Sequence, residues 1–198
     1  MAPRYGLRRF AVVIFLFPHL IAGPIVRHVE LVPQLGADPR RPGLAQRICQ
    51  GLVLFIIGMA SKVLVADRLA IHADAVFRGA SAEVPGLVDA WAGAVAFALQ
   101  IYFDFAAYSE MAIGLALVLG LHFPLNFDMP YRATSLRDFW RRWHMSLSRF
   151  LRDYLYVPLG GSRHGFARFT FATLVTMGLC GLWHGAGLPF VIWGGVHG

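Results

Sequence analysis

The sequence predicts an all-α, polytopic integral membrane protein, and three observations carry that reading. The 198 residues are 57% hydrophobic and only 15% charged, at a mean hydropathy of +0.57, whereas soluble domains carry about a quarter charged residues. The apolar residues gather into runs of the length that spans a bilayer. Arginines concentrate on alternate connections between those runs, as cytoplasmic loops require. The net charge of +7 is therefore read as a record of topology. A basic chain can also bind nucleic acid, but the apolar runs leave no polar domain for it, and no nucleic-acid partner is expected. Cys49 and Cys180 each sit alone in an apolar run, so neither a disulfide framework nor a metal site is expected.

Taken in order, residues 10–26 (FAVVIFLFPHLIAGPIV) barely reach the length of about 17 needed for a span. Pro18 and Pro24 interrupt them, which favours a kinked or re-entrant segment. The basic start before this run resembles a signal peptide, but no convincing cleavage site follows. Residues 27–47, with Arg27, Arg40, Arg41 and Arg47 among prolines, form a cytoplasmic loop. A clear span follows at 48–66, with Lys62 near one end, where it can snorkel. Residues 67–86 mix Asp67, Arg68, Asp74, Arg78 and Glu83 without basic excess, as on an outer face. The run from Leu87 to Leu121 would measure about 52 Å as one helix, against a hydrocarbon core of about 30 Å. It must tilt, break or enter a protein-lined cavity. Residues 122–165 hold seven arginines and three acidic residues and return to the cytoplasmic side. The last apolar run, 166–198, stops without a polar flank. The chain is read as one partial transmembrane domain, 1–198, from a longer protein.

The most polar stretch is Ser135–Gly161, SLRDFWRRWHMSLSRFLRDYLYVPLGG. At helical periodicity Leu136, Phe139, Trp140, Trp143, Leu147, Phe150, Leu151 and Tyr154 share a sector roughly 120° wide. One amphipathic helix is predicted, with indoles on its apolar face and arginines opposite, ended by Pro158 and Gly160-Gly161. His144 falls at the edge of the stripe, beside Arg137 and Ser148. The loop Leu159–Gly165 is glycine-rich and basic but lacks the Gly-Lys-Ser/Thr of a P-loop, so it reads as a basic turn.

Two further positions stand out. Gln100, Asp104 and Tyr108 share a face by i, i+4 spacing, and a carboxylate at membrane depth must be paired or wet. Asp104 is therefore a site candidate or half of an ion pair with an arginine. His184 lies between Trp183 and Gly185 in an apolar run. It either satisfies a carbonyl or serves as a neutral general base beside a close-approaching ligand.

The words Arg141-Arg142-Trp143-His144-Met145-Ser146-Leu147-Ser148, Arg152-Asp153-Tyr154, Val157-Pro158-Leu159-Gly160-Gly161 and Leu182-Trp183-His184-Gly185 resemble the membrane-bound O-acyltransferase (MBOAT) family. Phe17 to Ile25, Gln100 to Glu110, and Asn126-Phe127 with Pro130-Tyr131 agree. The Pro-Leu-Gly-Gly ending most resembles the bacterial alginate O-acetyltransferase branch, which also acts on peptidoglycan and other surface glycans. The resemblance implies a ring of tilted helices around a thinned centre, in the bacterial inner membrane. It implies His184 as the catalytic histidine and His144 as the second polar position. Trp140, Trp143 and Trp183 would line the chamber, and Arg141, Arg142 and Arg152 would attract the donor's phosphates. Tyr102, Asp104, Tyr108 and Asn126 complete the implied substrate-contacting set. The implied donor is acetyl-CoA, a substrate rather than a bound cofactor. The implied partners are membrane lipid and a periplasmic acetyltransferase protein. The family's Phe-Ser-Gly-Tyr-Ser-Asp stands here as Phe105-Ala106-Ala107-Tyr108-Ser109-Glu110. Family members are also longer at both ends. D-alanyl transfer to teichoic acid by a sister branch, a proton-relaying transporter and a non-catalytic scaffold are the rival readings.

Overall fold

Helices make the fold, and no strand occurs among the described residues. The computed structural model describes residues 6–80 and 84–198; Glu83 and the start of the N-terminal basic segment, including Arg4, lie outside them. Among the described residues, three helices are long and apolar enough to cross a membrane: Leu44–Gly79, Leu87–Val118 and Gly165–His184. The chain is thus an all-α, multi-pass membrane protein. Its internal contacts divide it into two compact units, Met1–Phe127 and Asp128–Gly198.

In the first unit, α1 (Leu7–Phe15) stops before a 3-10 turn at Phe17–His19, where Pro18 cannot continue an α-helical ladder. A short α2 (His28–Leu31) runs into a second 3-10 turn, Val32–Gly36. The kinked reading of 10–26 fits this path. The next element departs from expectation. α3 (Leu44–Ala60) does not end at residue 66 but passes through a π-helical turn, Ser61–Ala66, into α4 (Asp67–Gly79). Most of the predicted outer loop 67–86 is therefore helix. Charge pattern marked where the apolar stretch ends, whereas Asp67 and the i, i+4 pair Asp74–Arg78 support further helical turns. α5 (Leu87–Val118) is one unbroken helix of 32 residues, about 48 Å at 1.5 Å per residue. It ends where Gly120 takes φ +82° and the Leu121 amide donates back to the Ala116 carbonyl, a left-handed helix stop.

The α3–α4 helix and α5 run antiparallel, because Gly51 meets residues 114–118, Gly58 meets 107–111, and Gly93 meets Val76. A Cβ at Gly58 would lie 2.6 Å from the Ala107 carbonyl oxygen. Lipid tails are as apolar as leucine, so helices in a bilayer associate through such backbone approaches rather than through hydrophobic exclusion. Val13, Val26, Leu31, Val32, Ile113, Ala116, Leu121 and Phe123 form the buried apolar cluster of this unit.

In the second unit the predicted single amphipathic helix is broken. α6 (Leu136–Arg142) begins at Ser135, whose hydroxyl accepts from the Asp138 amide at 3.1 Å, an ordinary N-cap. It ends at Trp143, and His144 adopts φ 42°, ψ 56° before α7 (Met145–Leu151) starts. A π-helical turn, Arg152–Tyr156, continues α7. Periodicity could not reveal this corner, since every residue on either side keeps helical spacing. The Ser148 hydroxyl donates towards the freed carbonyls of Trp140 (3.3 Å) and Trp143 (3.4 Å), so the break leaves them partnered.

The basic turn that follows has Gly160, Gly161 and Gly165 at positive φ, and Arg168 Nε donates to the Leu159 carbonyl at 2.6 Å. α8 (Gly165–His184) and α9 (Leu188–His197) form an antiparallel hairpin. Gly181 packs on the Phe190 carbonyl and Gly194 on the Met177 carbonyl. The glycines of Trp183-His184-Gly185-Ala186-Gly187 make the tight connection.

Candidate active site

The local chemistry of the second unit begins with its corner. A non-glycine residue in the left-handed region costs of order 1 kcal/mol and persists only where surrounding contacts impose it. At His144 those contacts are aromatic. Phe139 stacks on Trp143 with centroids 5.5 Å apart and planes at 17°, and Tyr131 flanks both rings. Arg142 is drawn the other way, its Nε 3.1 Å from Asp138 and its Nη1 3.3 Å from Asp128. The corner turns the imidazole of His144 inward, to 5% exposure.

His144 faces a cavity of about 630 Å³, within the usual range for small-molecule sites. Its walls come from α6, α7, α8 and the end of α9. Among the predicted site residues, the cavity brings together Trp140, Arg141, Trp143, His144, Arg152 and His184. Trp183 is not part of its lining and is 63% exposed. Its ring nevertheless lies 4.9 Å from that of His184 and 6.5 Å from that of His144. Sequence reasoning missed Cys180, Thr176 and His197, which also line the cavity. Thr176 and Cys180 lie two turns and one turn before His184 on α8, a spacing that would have found them.

Burial, with the neighbouring His184 as a smaller cause, pushes the His144 pKa down to about 4. The ring is therefore neutral at physiological pH. Arg152 reaches its neighbour Asp153 at 2.7 Å. That carboxylate raises the Arg152 pKa further and secures its positive charge.

The other four predicted residues belong to the first unit. Asp104 pairs with Lys62 at 2.8 Å, and the same ammonium reaches Asp67 at 2.5 Å. Two expectations are corrected here. The partner of Asp104 is the only lysine of the chain, not an arginine, and Lys62 bridges two helices instead of snorkelling. The π-helical turn that begins at Ser61 carries Lys62 to this position. Asn126 is 1% exposed, and its amide donates to the Ser109 hydroxyl at 3.0 Å. That contact clasps the segment after α5 onto the helix. Tyr102 packs against Phe103 and Phe127. Tyr108 is half-buried one turn beyond Asp104 on α5.

Comparison with known proteins agrees with this architecture. The family model "MBOAT, membrane-bound O-acyltransferase family" matches residues 4–198. The chain is 47% identical over 195 residues to the probable alginate O-acetylase AlgI of Pseudomonas aeruginosa, covering 98% of this chain and 36% of that protein. It is 43% identical over 190 residues to the peptidoglycan O-acetyltransferase of Helicobacter pylori, covering 96% and 36%. With the teichoic acid D-alanyltransferase of Bacillus subtilis it shares 26% identity over 198 residues, covering 96% and 50%. The chain spans little more than a third of the alginate and peptidoglycan relatives. It is similar in sequence throughout to the alginate O-acetylase branch, and it belongs to the membrane-bound O-acyltransferase family.

Proposed function

We propose that the chain carries the reaction centre of a membrane O-acyltransferase that moves an acetyl group from a cytoplasmic donor, acetyl-CoA, towards hydroxyls of an extracytoplasmic polysaccharide. Alginate is the favoured acceptor, because alginate O-acetylases are among the relatives at 46–48% identity. A periplasmic protein would take the acetyl group onward, and the host membrane would be the bacterial inner membrane. The observation that carries the reading is the shared cavity: two imidazoles, His144 and His184, line one chamber with three arginines, Arg137, Arg141 and Arg152.

In the proposed reaction the acceptor hydroxyl attacks the thioester carbonyl, and His184 takes the hydroxyl proton as the C–O bond forms. The tetrahedral intermediate collapses, the C–S bond breaks, and the proton returns to the departing thiolate. His144, neutral through burial, holds or polarises a reacting group. Arg141 and Arg152 offer charge to the donor's phosphates. General-base assistance is worth about 10²–10⁴-fold in rate. In inner-membrane vesicles carrying the complete protein and its partners, transfer of label from acetyl-CoA to alginate should fall by that factor in His184→Ala. The variant should still insert in the membrane. Retained transfer would remove His184 from the role, and proton flux across the vesicle membrane without any acyl donor would favour transport.

A further inference from the structure

The cavity of the second unit is lined by three imidazoles, and the reaction just described uses only two. The third, His197, stands on the last turn of α9. Its Nδ1 lies 2.8 Å from the carbonyl oxygen of Trp193, one turn back. A carbonyl can only accept, so Nδ1 carries the hydrogen. In the neutral ring that leaves the lone pair on Nε2.

Two indoles fix the orientation of this ring. Trp193 lies 4.6 Å away with planes at 38°, and Trp140 lies 5.7 Å away, edge-on at 84°. The same Trp193 indole meets the His184 ring edge-on at 5.5 Å, so one side chain touches both imidazoles. Trp140 adds the complementary feature. Its Nε1 is buried without a hydrogen-bond partner, in a side chain that lines the same cavity. Buried indole N–H groups ordinarily find an acceptor.

A donor on Trp140 and an acceptor on the adjacent His197 match a group that both accepts and donates. An alcohol does this with a single oxygen. We infer that Trp140 and His197 form a hydroxyl-binding pair beside His184, with Trp140 Nε1–H donating to the substrate oxygen and that hydroxyl donating to His197 Nε2. This deepens the acyl-transfer reading and rests on it. The hydroxyl belongs to the acyl acceptor or to the pantetheine arm of the donor, and the kinetics separate the two.

The test uses the complete protein in membrane vesicles, with labelled acetyl-CoA and alginate as probes. His197→Asn places an amide N–H where Nδ1 stands, so the bond to Trp193 survives while the Nε2 acceptor is lost. His197→Gln restores an acceptor near the Nε2 position. Losing one such hydrogen bond should lower transfer about tenfold. H197N and Trp140→Phe should each show that loss without a change in melting temperature, and H197Q should recover most of it. A rise confined to the KM for alginate assigns the hydroxyl to the acceptor; a rise confined to the KM for acetyl-CoA assigns it to the donor. Wild-type transfer by H197N would overturn the pair. So would equal losses in H197N and H197Q, which point to helix packing alone. A wild-type protein without acetyl transfer would remove the underlying reading, and the pair with it.

Discussion

The burial of His144 makes acid stability the sharpest test of the second unit. The ring is 5% exposed, and burial with His184 nearby pushes its pKa from 6.5 down to about 4. Unfolding returns it to about 6.5, so between pH 6.5 and 4 the unfolded chain binds more protons. Stability therefore falls as the pH falls through that window. At 1.36 kcal/mol per unit, the difference at pH 7 is negligible; it grows to about 2 kcal/mol at pH 5 and about 3 kcal/mol at pH 4. His144→Asn removes the titration and suits the left-handed backbone at φ 42°, which asparagine tolerates. Thermal unfolding of detergent-solubilised wild type and H144N would be followed by tryptophan fluorescence at pH 7, 5 and 4. Other groups titrate in both proteins and cancel in the difference. At roughly 2–4 °C per kcal/mol, wild type should lose about 6–12 °C more than H144N between pH 7 and 4. Because burial is the larger cause, His184→Asn should leave most of that difference in place. Parallel melting curves for wild type and H144N across the range would refute the argument, since a solvated imidazole gains nothing by unfolding.

Three further outcomes follow from the first unit. Gly58→Ala puts a methyl 2.6 Å from the Ala107 carbonyl oxygen and should cost about 1–3 kcal/mol as the antiparallel pair parts, read as a lower melting temperature. Asp104→Asn should cost less than about 1 kcal/mol, because the pair with Lys62 is about half exposed and Asp67 keeps the ammonium. The double change D67N/D104N should destabilise more than the two single changes combined, which a thermal double-mutant cycle measures. Asn126→Leu strands the clasp to Ser109 and should cost about 1–3 kcal/mol, seen as earlier proteolysis of the segment after α5.

Composition made the membrane class legible, and the apolar runs at 48–66, 87–121 and 166–198 each fall on a helix long and apolar enough to cross a membrane, because length and hydropathy are properties of the sequence alone. Two features escaped for physical reasons. The corner at Trp143-His144 arises from a left-handed backbone held by aromatic stacking, and a helical wheel assigns each residue the same angle whether or not the helix persists. The partner of Asp104 depends on a π-helical turn in another helix, which no local pattern announced. The site was readable in part. Trp140, Arg141, Trp143, His144, Arg152 and His184 gather at one cavity, whereas His197 enters it through the fold-back of α8 on α9. That hairpin depends on the glycine contacts at 181 and 194, and their pairing is a long-range fact.

The π-helical turn at Ser61–Ala66 works as a rotational offset. Each residue of an α-helix advances the wheel by about 100°, so adding or deleting a single residue upstream of α4 would swing everything beyond it round the axis. Shortening the turn by one would swing Val76 away from Gly93 on α5. One continuous helix thereby presents two differently phased faces to the same neighbour, one fitted to glycine and one to charge.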